Sequence, residues 1–148
     1  MILDRENHVA AALAIAGTGN LLATDVIDLG VARDIGAGGD LNFYHTLNTA
    51  APAGGTSIEF QIVASSTSDF SSDVVVLATT GAIALANLAN NYLTFQPLPR
   101  VPGGGAPRRY LTTRLVRTGT FTGATTWSSG ITFDVTDFTR FYNANYTA

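Results

Sequence analysis

Apolar and polar residues alternate along much of this chain in short runs, which is the pattern of half-buried β-strands. Residues 41–49 and 57–64 show the alternation most clearly, and the second run turns Glu59, Gln61 and Val63 outward. In both runs the alternation places most of the apolar positions and His45 on the face expected to meet the core. These residues are Leu41, Phe43, His45 and Leu47 in the first run and Ile58, Phe60, Ile62 and Ala64 in the second. Similar patterns predict strands over 24–29, 92–98, 109–117 and 131–135. The β-branched run Val74–Leu77 predicts a strand that is buried on both faces.

Glycine- and proline-rich segments separate these strands, and helix signals are scarce. Loops are predicted over 36–40, 52–55, 65–72 and 102–107. The alanine-rich run Val9–Ala16 fits either a short helix or a strand, and 82–88 fits one turn of helix. About seven short, turn-separated strands predict an all-β fold, a single antiparallel β-sandwich or jelly-roll-like domain over residues 1–148. Residues 1–8 and 138–148 are expected to be extended N- and C-terminal arms.

Composition excludes several classes of protein. Only 13% of the 148 residues are charged, about half the usual share, and all eight basic residues are arginine. Apolar residues make up 46% of the chain, which excludes intrinsic disorder. The net charge of −3 argues against direct nucleic-acid binding, and no apolar run approaches the ~20 residues that span a bilayer. So weakly charged a surface indicates that part of it is covered by a partner.

A search for chemistry finds no catalytic constellation, so we expect no enzyme activity, no cofactor and no metal. The two histidines, His8 and His45, are too few for a zinc site without cysteine, and His45 is predicted to be a core or interface residue. Asp69 and Asp73 are interpreted as solvated turn residues, and Arg33–Asp34 as a local ion pair.

Two features are candidates for contacts with a partner. Arg100, Arg108 and Arg109 flank the loop 102–107, and guanidinium groups pair bidentately with carboxylates. Simple solvation of that loop is the alternative. The C-terminal run is rich in the aromatic side chains that interfaces favour: Phe138, Phe141, Tyr142 and Tyr146. This run could equally pack back on its own sandwich.

Several short strings, in order along residues 1–137, resemble one known family. They are Met1–Arg5 (MILDR), Ile27–Gly30 (IDLG) with Ala32–Gly36 (ARDIG), Ser68–Ser72 (SDFSS), Leu98–Arg100 (LPR), Arg109–Leu111 (RYL) and Gly119–Gly123 (GTFTG). Together they resemble the capsid cement, or decoration, proteins of tailed bacteriophages, such as that of a Bordetella phage. The loop 102–107 and the tail after Asp137 have no place in that pattern.

The resemblance implies a jelly-roll-like virion protein without catalytic residues, assembled in the host cytoplasm. Its partners would be the major capsid protein and further copies of itself. A dimer is the first expectation for its oligomeric state and a trimer the second. It would sit on the outer capsid surface across junctions of capsid subunits and brace the shell against the pressure of packaged DNA. Chain ends reach neighbours easily, so the interface candidates include Met1, Ile2, Leu3 and Arg5.

A carbohydrate-binding β-sandwich on a virion or cell surface is the rival interpretation. It requires an exposed aromatic platform, for which Trp127, Tyr44 and Tyr142 are the candidates.

Overall fold

The described part of the chain is built almost entirely of β-strands. The structure, a computed structural model, describes residues 8–33, 41–99 and 106–132. The strands are β1 (His8–Ala14), β2 (Gly17–Leu22), β3 (Ile27–Asp28), β4 (Asn42–Asn48), β5 (Ala53–Gly54), β6 (Ser57–Ser65), β7 (Val75–Thr79), β8 (Ile83–Ala84), β9 (Leu93–Pro97), β10 (Tyr110–Thr122) and β11 (Thr126–Thr132). A 3₁₀ turn follows β8 at Leu85–Asn87, where one turn of helix was expected. No helix of the described residues is long and apolar enough to cross a membrane.

These strands form two antiparallel sheets that pack face to face as a sandwich. Sheet 1 has the order β1-β11-β4-β9, and sheet 2 has the order β2-β10-β6-β7. Short β3 and β5 extend sheet 2 along β10, and β8 extends it along β6. Each main strand of sheet 1 therefore has a chain neighbour at the same place in sheet 2: β1 with β2, β11 with β10, β4 with β6 and β9 with β7. This exchange between sheets is the jelly-roll arrangement, and the predicted all-β sandwich is confirmed. Of the predicted arms, 1–7 and 138–148 lie outside the described residues, and His8 already belongs to β1.

The core lies between the sheets and is filled by the faces that the alternation pointed inward. Phe43 and Leu47 of β4 are fully buried, as are Ile58, Phe60 and Ile62 of β6. Sheet 2 adds Leu111 and Leu115 from β10, and sheet 1 adds Trp127 from β11. Burial of aromatic and branched side chains at this density supplies the main driving force for folding.

The alanine-rich run is a strand, and two further segments are extended where no strand was predicted. β1 pairs with β11 through a register broken twice, and Ala12 within it has φ +50°. β2, with the sequence GTGNLL, was not predicted at all, and β11 begins at Thr126 rather than Ile131. Glycine, alanine and serine have little strand propensity, so tertiary pairing rather than local preference makes these segments extended.

The prediction that Val74–Leu77 is buried on both faces is wrong. The strand found there, β7, ends sheet 2, and Val76 is 37% exposed. An apolar run does not distinguish a central strand from an edge strand, because the pattern carries no information on neighbours.

Outward-facing residues can also be buried, as Val63 shows. It points away from the core, opposite Thr112 of β10, yet both residues are completely buried. The β6–β7 connection (66–74) returns over this outer face of sheet 2, since Phe70 and Val74 border a groove together with Leu22 and Arg114. The hydroxyl of Ser65 fastens the connection by donating to the carbonyl of Ser72 at 2.8 Å.

Candidate interaction surface

The two described arginines of the predicted interface set, Arg108 and Arg109, lie at the start of β10 and pair with carboxylates of this same chain. Arg109 binds Asp28 bidentately: Nε donates to Oδ1 and Nη2 to Oδ2, both at 2.7 Å. The pairing is possible because β3 lies beside β10 with Asp28 opposite Tyr110. The bidentate geometry expected of guanidinium is therefore present within the chain, between residues 81 positions apart.

The electrostatics of this pair follow from its hydrogen bonds. Arg109, followed by the amide of Gly30, lowers the pKa of Asp28 to about 2, and Asp28 in turn raises the pKa of Arg109. The guanidinium also lies 5.1 Å from the ring centroid of Tyr110, within the range of a cation–π contact. Both charged side chains are 45% exposed, so they remain accessible to a partner while their charges are matched.

Arg108 makes the second ion pair of the described residues and fastens a different segment. Its Nη2 donates to Oδ1 of Asp73 at 2.7 Å, and its Nη1 donates to the carbonyl of Ala106 at 2.6 Å. Ser66 donates to the other carboxylate oxygen of Asp73 at 2.7 Å and, with Arg108, lowers the pKa of that group. Asp73 is thus an arginine partner as well as the turn residue that the sequence predicted.

A turn beside the Asp28–Arg109 pair presents the most exposed large apolar side chain of the described residues. Gly30 donates its amide to Asp28, and Leu29 donates its amide to the carbonyl of Arg109 at 2.9 Å. The guanidinium of Arg33 donates to the carbonyl of Leu29 through both Nε and Nη2. Val31, held between these bonds, is 62% exposed. An exposed apolar side chain on a braced turn is the kind of group that the buried centre of an interface covers.

Most of the predicted contact residues cannot be assigned a place in this surface. Those that lie outside the described residues are Met1, Ile2, Leu3, Arg5, Arg100, Phe138, Phe141, Tyr142 and Tyr146. Asp34, the expected ion-pair partner of Arg33, also lies outside them. Of the predicted set the structure describes only Arg108 and Arg109, which pair with two separate carboxylates, and it adds Asp28, Asp73 and Val31. The sequence pointed to none of these three as contact residues, since a scarcity of charge does not say which acid meets which arginine.

His45 is a core residue, as predicted. Its ring is fully buried, stacked on Phe60 at 4.9 Å between ring centroids. Nε2 lies 2.9 Å from the amide oxygen of Gln96 and must carry the proton, so Nδ1 accepts from Ser129 at 3.1 Å. Burial lowers the pKa of His45 to about 3, which leaves the imidazole neutral. The described residues contain no cluster of His, Cys, Asp or Glu able to hold a metal ion.

The prediction of an exposed aromatic platform for carbohydrate binding is wrong for the two candidates that the structure describes. Trp127 is fully buried in the core, and Tyr44 is 1% exposed with its hydroxyl 2.8 Å from Nδ1 of His8. Tyr142, the third candidate, lies outside the described residues. Trp127 could be recognised as a core residue only once β11 was known to start before it.

Comparison with known proteins gives one family. The model of the Bbp16 family matches residues 9–141, nearly the whole chain. The name of that family points to a protein of a Bordetella phage. No curated protein matches the chain.

Proposed function

The chain belongs to the Bbp16 family, and from this membership we propose that it is a structural virion protein of a tailed phage. In this proposal it is a cement protein that binds the outer capsid surface across junctions of major capsid subunits and stabilises the shell against internal DNA pressure. The family match over residues 9–141 carries the phage origin. The strings that resemble cement proteins, and a jelly-roll architecture common among viral capsid proteins, support the capsid role. The proposal assigns the chain no reaction and no cofactor.

The surface chemistry supports a role in assembly. Only 13% of the residues are charged, so few charges oppose docking by their desolvation, and the ion pairs of Arg108 and Arg109 within the chain mean that docking would not bury either guanidinium without a counter-charge. The accessible surface is 7808 Å². A standard interface takes ~800 Å² from each partner, so one contact with the capsid and one with a second copy would cover about a fifth of that surface.

Self-association would increase the overall affinity for the capsid. An oligomer that holds several capsid subunits at once gains affinity by multivalency without any new kind of contact. We propose a dimer on a two-fold axis, the commonest closed symmetry, with a trimer as the second choice. The N-terminal arm, the aromatic tail and the arginines beside loop 102–107 remain the proposed contact residues.

Rebinding to capsids tests the proposal. Capsids stripped of this protein would be mixed with purified chain, sedimented, and challenged by heat or osmotic shock while DNA release is measured. We expect saturable binding and a higher temperature of DNA release. A chain that does not sediment with capsids, or that binds without changing DNA release, would overturn the cement role.

Deletion of residues 138–148 separates the proposed tail contact from the rest. If the tail contacts the capsid and not its own sandwich, we expect lower capsid occupancy with an unchanged melting temperature of the domain. Unchanged occupancy would remove the tail from the interface. Occupancy that falls together with the melting temperature would instead show that the tail packs on its own sandwich.

A further inference from the structure

The outer face of sheet 2 carries a groove that the proposed function does not use. It lies between β2, β10 and the β6–β7 connection (66–74) and encloses about 270 Å³. Its lining residues are Asn20, Leu22, Asp69, Phe70, Val74 and Arg114. Asn20 and Leu22 share the outer face with Arg114, because Leu22 pairs with Arg114 across the two strands. A concave site with an apolar floor and a few polar groups is the usual form of a small-ligand site.

Two of the three polar residues that line the groove, Asp69 and Arg114, are held in place by hydrogen bonds within the chain. Oδ1 of Asp69 accepts from the amide of Ser71 at 3.1 Å and from its hydroxyl at 2.9 Å, which keeps the carboxylate ionised and oriented. Nε and Nη2 of Arg114 both donate to Oε1 of Gln61, at 2.9 and 2.6 Å. Gln61 is itself fixed, since its Nε2 donates to Glu59 at 2.6 Å.

Apolar side chains form the rest of the groove's lining. Phe70 is half-buried and has φ +53°, a backbone conformation that a bulky residue rarely adopts, and its side chain borders the groove. Leu22 on β2 and Val74 at the end of the connection extend the apolar surface beside it.

The chemistry of these groups selects a class of ligand. One carboxylate and one guanidinium leave the groove without net charge, and two of the three guanidinium nitrogens are already engaged by Gln61. The Asn20 amide and the Asp69 carboxylate offer acceptors, while Asn20 and the remaining nitrogen of Arg114 offer donors. Groups that accept and donate beside an aromatic ring match a polyol with one apolar C–H face. The volume is below the roughly 300–1,000 Å³ of pockets for drug-sized ligands, so one ring fills it.

We infer that this groove binds a single neutral sugar ring, such as the terminal hexose of a surface glycan, between Phe70, Asn20, Asp69 and Arg114. The site differs from the aromatic platform of Trp127 and Tyr44, and it does not rest on a capsid role. It would give the protein a weak, ring-sized glycan contact on an outer face of the sandwich.

Saturation-transfer NMR on the full chain tests the inference with defined probes. The probes are the methyl glycosides of glucose, galactose, mannose and N-acetylglucosamine, with methyl glucuronide as the charged comparison. We expect saturation of at least one neutral glycoside, with a dissociation constant in the millimolar range, and no stronger signal from the glucuronide. Absence of signal from every neutral glycoside, or saturation of the glucuronide alone, would overturn the inference.

Two substitutions locate the signal in the groove. Phe70→Asn removes the ring while keeping a residue that tolerates positive φ, and Asn20→Ala removes an exposed amide; each should weaken binding about tenfold. The matched control for Asn20→Ala is Asn90→Ala, which changes an exposed residue that does not line the groove and should leave binding unchanged. Circular dichroism shows whether each variant is folded. If Phe70→Asn does not fold, the binding measured for Asn20→Ala tests the inference. Binding that survives in the folded groove variants would contradict the inference.

Discussion

At the scale of single residues, a buried arginine joins the two sheets at their corner. Arg117 is 8% exposed and faces the core side of β10 with Leu115 two positions before it. Its guanidinium donates to the carbonyls of Ile15 and Ala16 through Nη1, and those of Thr18 and Gly19 through Nη2 and Nε, at 2.6–3.1 Å. Ile15 and Ala16 lie in the turn that takes the chain from β1 in sheet 1 to β2 in sheet 2, and Thr18 and Gly19 lie near the start of β2. Four hydrogen bonds from one guanidinium satisfy these carbonyls, which a hydrophobic side chain cannot do.

We expect Arg117→Met to lower the free energy of unfolding by about 3 kcal/mol, because charge-assisted hydrogen bonds are lost and carbonyls are left unpaired. The stability of Arg117→Lys should lie between that of the unaltered protein and that of Arg117→Met, since an ammonium group cannot reach all four carbonyls. Urea unfolding measures the change, with Arg33→Met as an exposed control that alters stability little. A loss below about 1 kcal/mol for Arg117→Met would show that water replaces the guanidinium.

The buried His45 makes stability depend on pH in a defined direction. The unfolded chain takes up a proton at His45 near the ordinary pKa of 6.5, whereas the folded protein does so only near pH 3. The unfolded state therefore binds more protons between these values, and stability falls as pH falls through that window, by at most about 1.4 kcal/mol per pH unit.

The His45 effect is separable from that of the carboxylates. Glu59, Asp69 and Asp73 have lowered pKa values, so the stability that they contribute is lost only at pH values below the ordinary pKa of each group, 4.5 or less. Between pH 6.5 and 4.5 we expect the slope to come from His45 and to diminish in His45→Gln, measured by urea unfolding at each pH. An equal slope in both proteins would mean that His45 is not the group responsible.

At the scale of elements, tight turns between strands of sheet 2 are the points most sensitive to substitution. Gly55 lies in the turn between β5 and β6 with φ +63°, and its amide donates to the carbonyl of Thr120 at 2.8 Å. A Cβ atom at this position would overlap the ring of the buried Phe121. Gly81, between β7 and β8, also has a positive φ, +70°, but a Cβ atom added there would meet no other atom within 4 Å.

This difference provides a matched pair. We expect Gly81→Ala to lower stability by about 1 kcal/mol, the cost of a positive φ alone. Gly55→Ala should cost about 2–3 kcal/mol, because steric overlap with Phe121 is added to the same backbone strain. Thermal unfolding of both variants measures the difference, and equal losses would contradict the packing around Phe121.

The observed strand boundaries agree with the predicted ones where the side chains are typical of strands, and differ from them elsewhere. The Phe- and Ile-rich runs of β4 and β6 were predicted almost to the residue. β2 and the first half of β11 are rich in glycine and serine, and their extended form depends on partners in β10 and β4. Such strands have no local signal, because the hydrogen bonds that create them join residues far apart in the chain.

At the scale of the whole molecule, the scarcity of charge predicts how the protein associates. If copies pair through weakly charged surfaces, association depends on apolar burial and responds little to ionic strength. We expect light scattering to give twice the chain mass of 15.5 kDa, and the same value when salt is raised to about 0.5 M. A monomer would contradict self-association, and an oligomer that dissociates in salt would indicate charge-driven contacts instead.

Side-chain alternation is a local property of a strand, so the all-β class, most of the strands and the residues that face the core could be predicted from the sequence. The folded arrangement of the chain sets which of those strands form edges, which outward residues the 66–74 connection covers, and which carboxylates meet Arg108 and Arg109. These outcomes depend on contacts between residues that are distant in sequence, as between Asp28 and Arg109, and no local pattern encodes them. The same distinction explains why Trp127, a candidate for the exposed platform in the rival carbohydrate-binding interpretation, lies in the core.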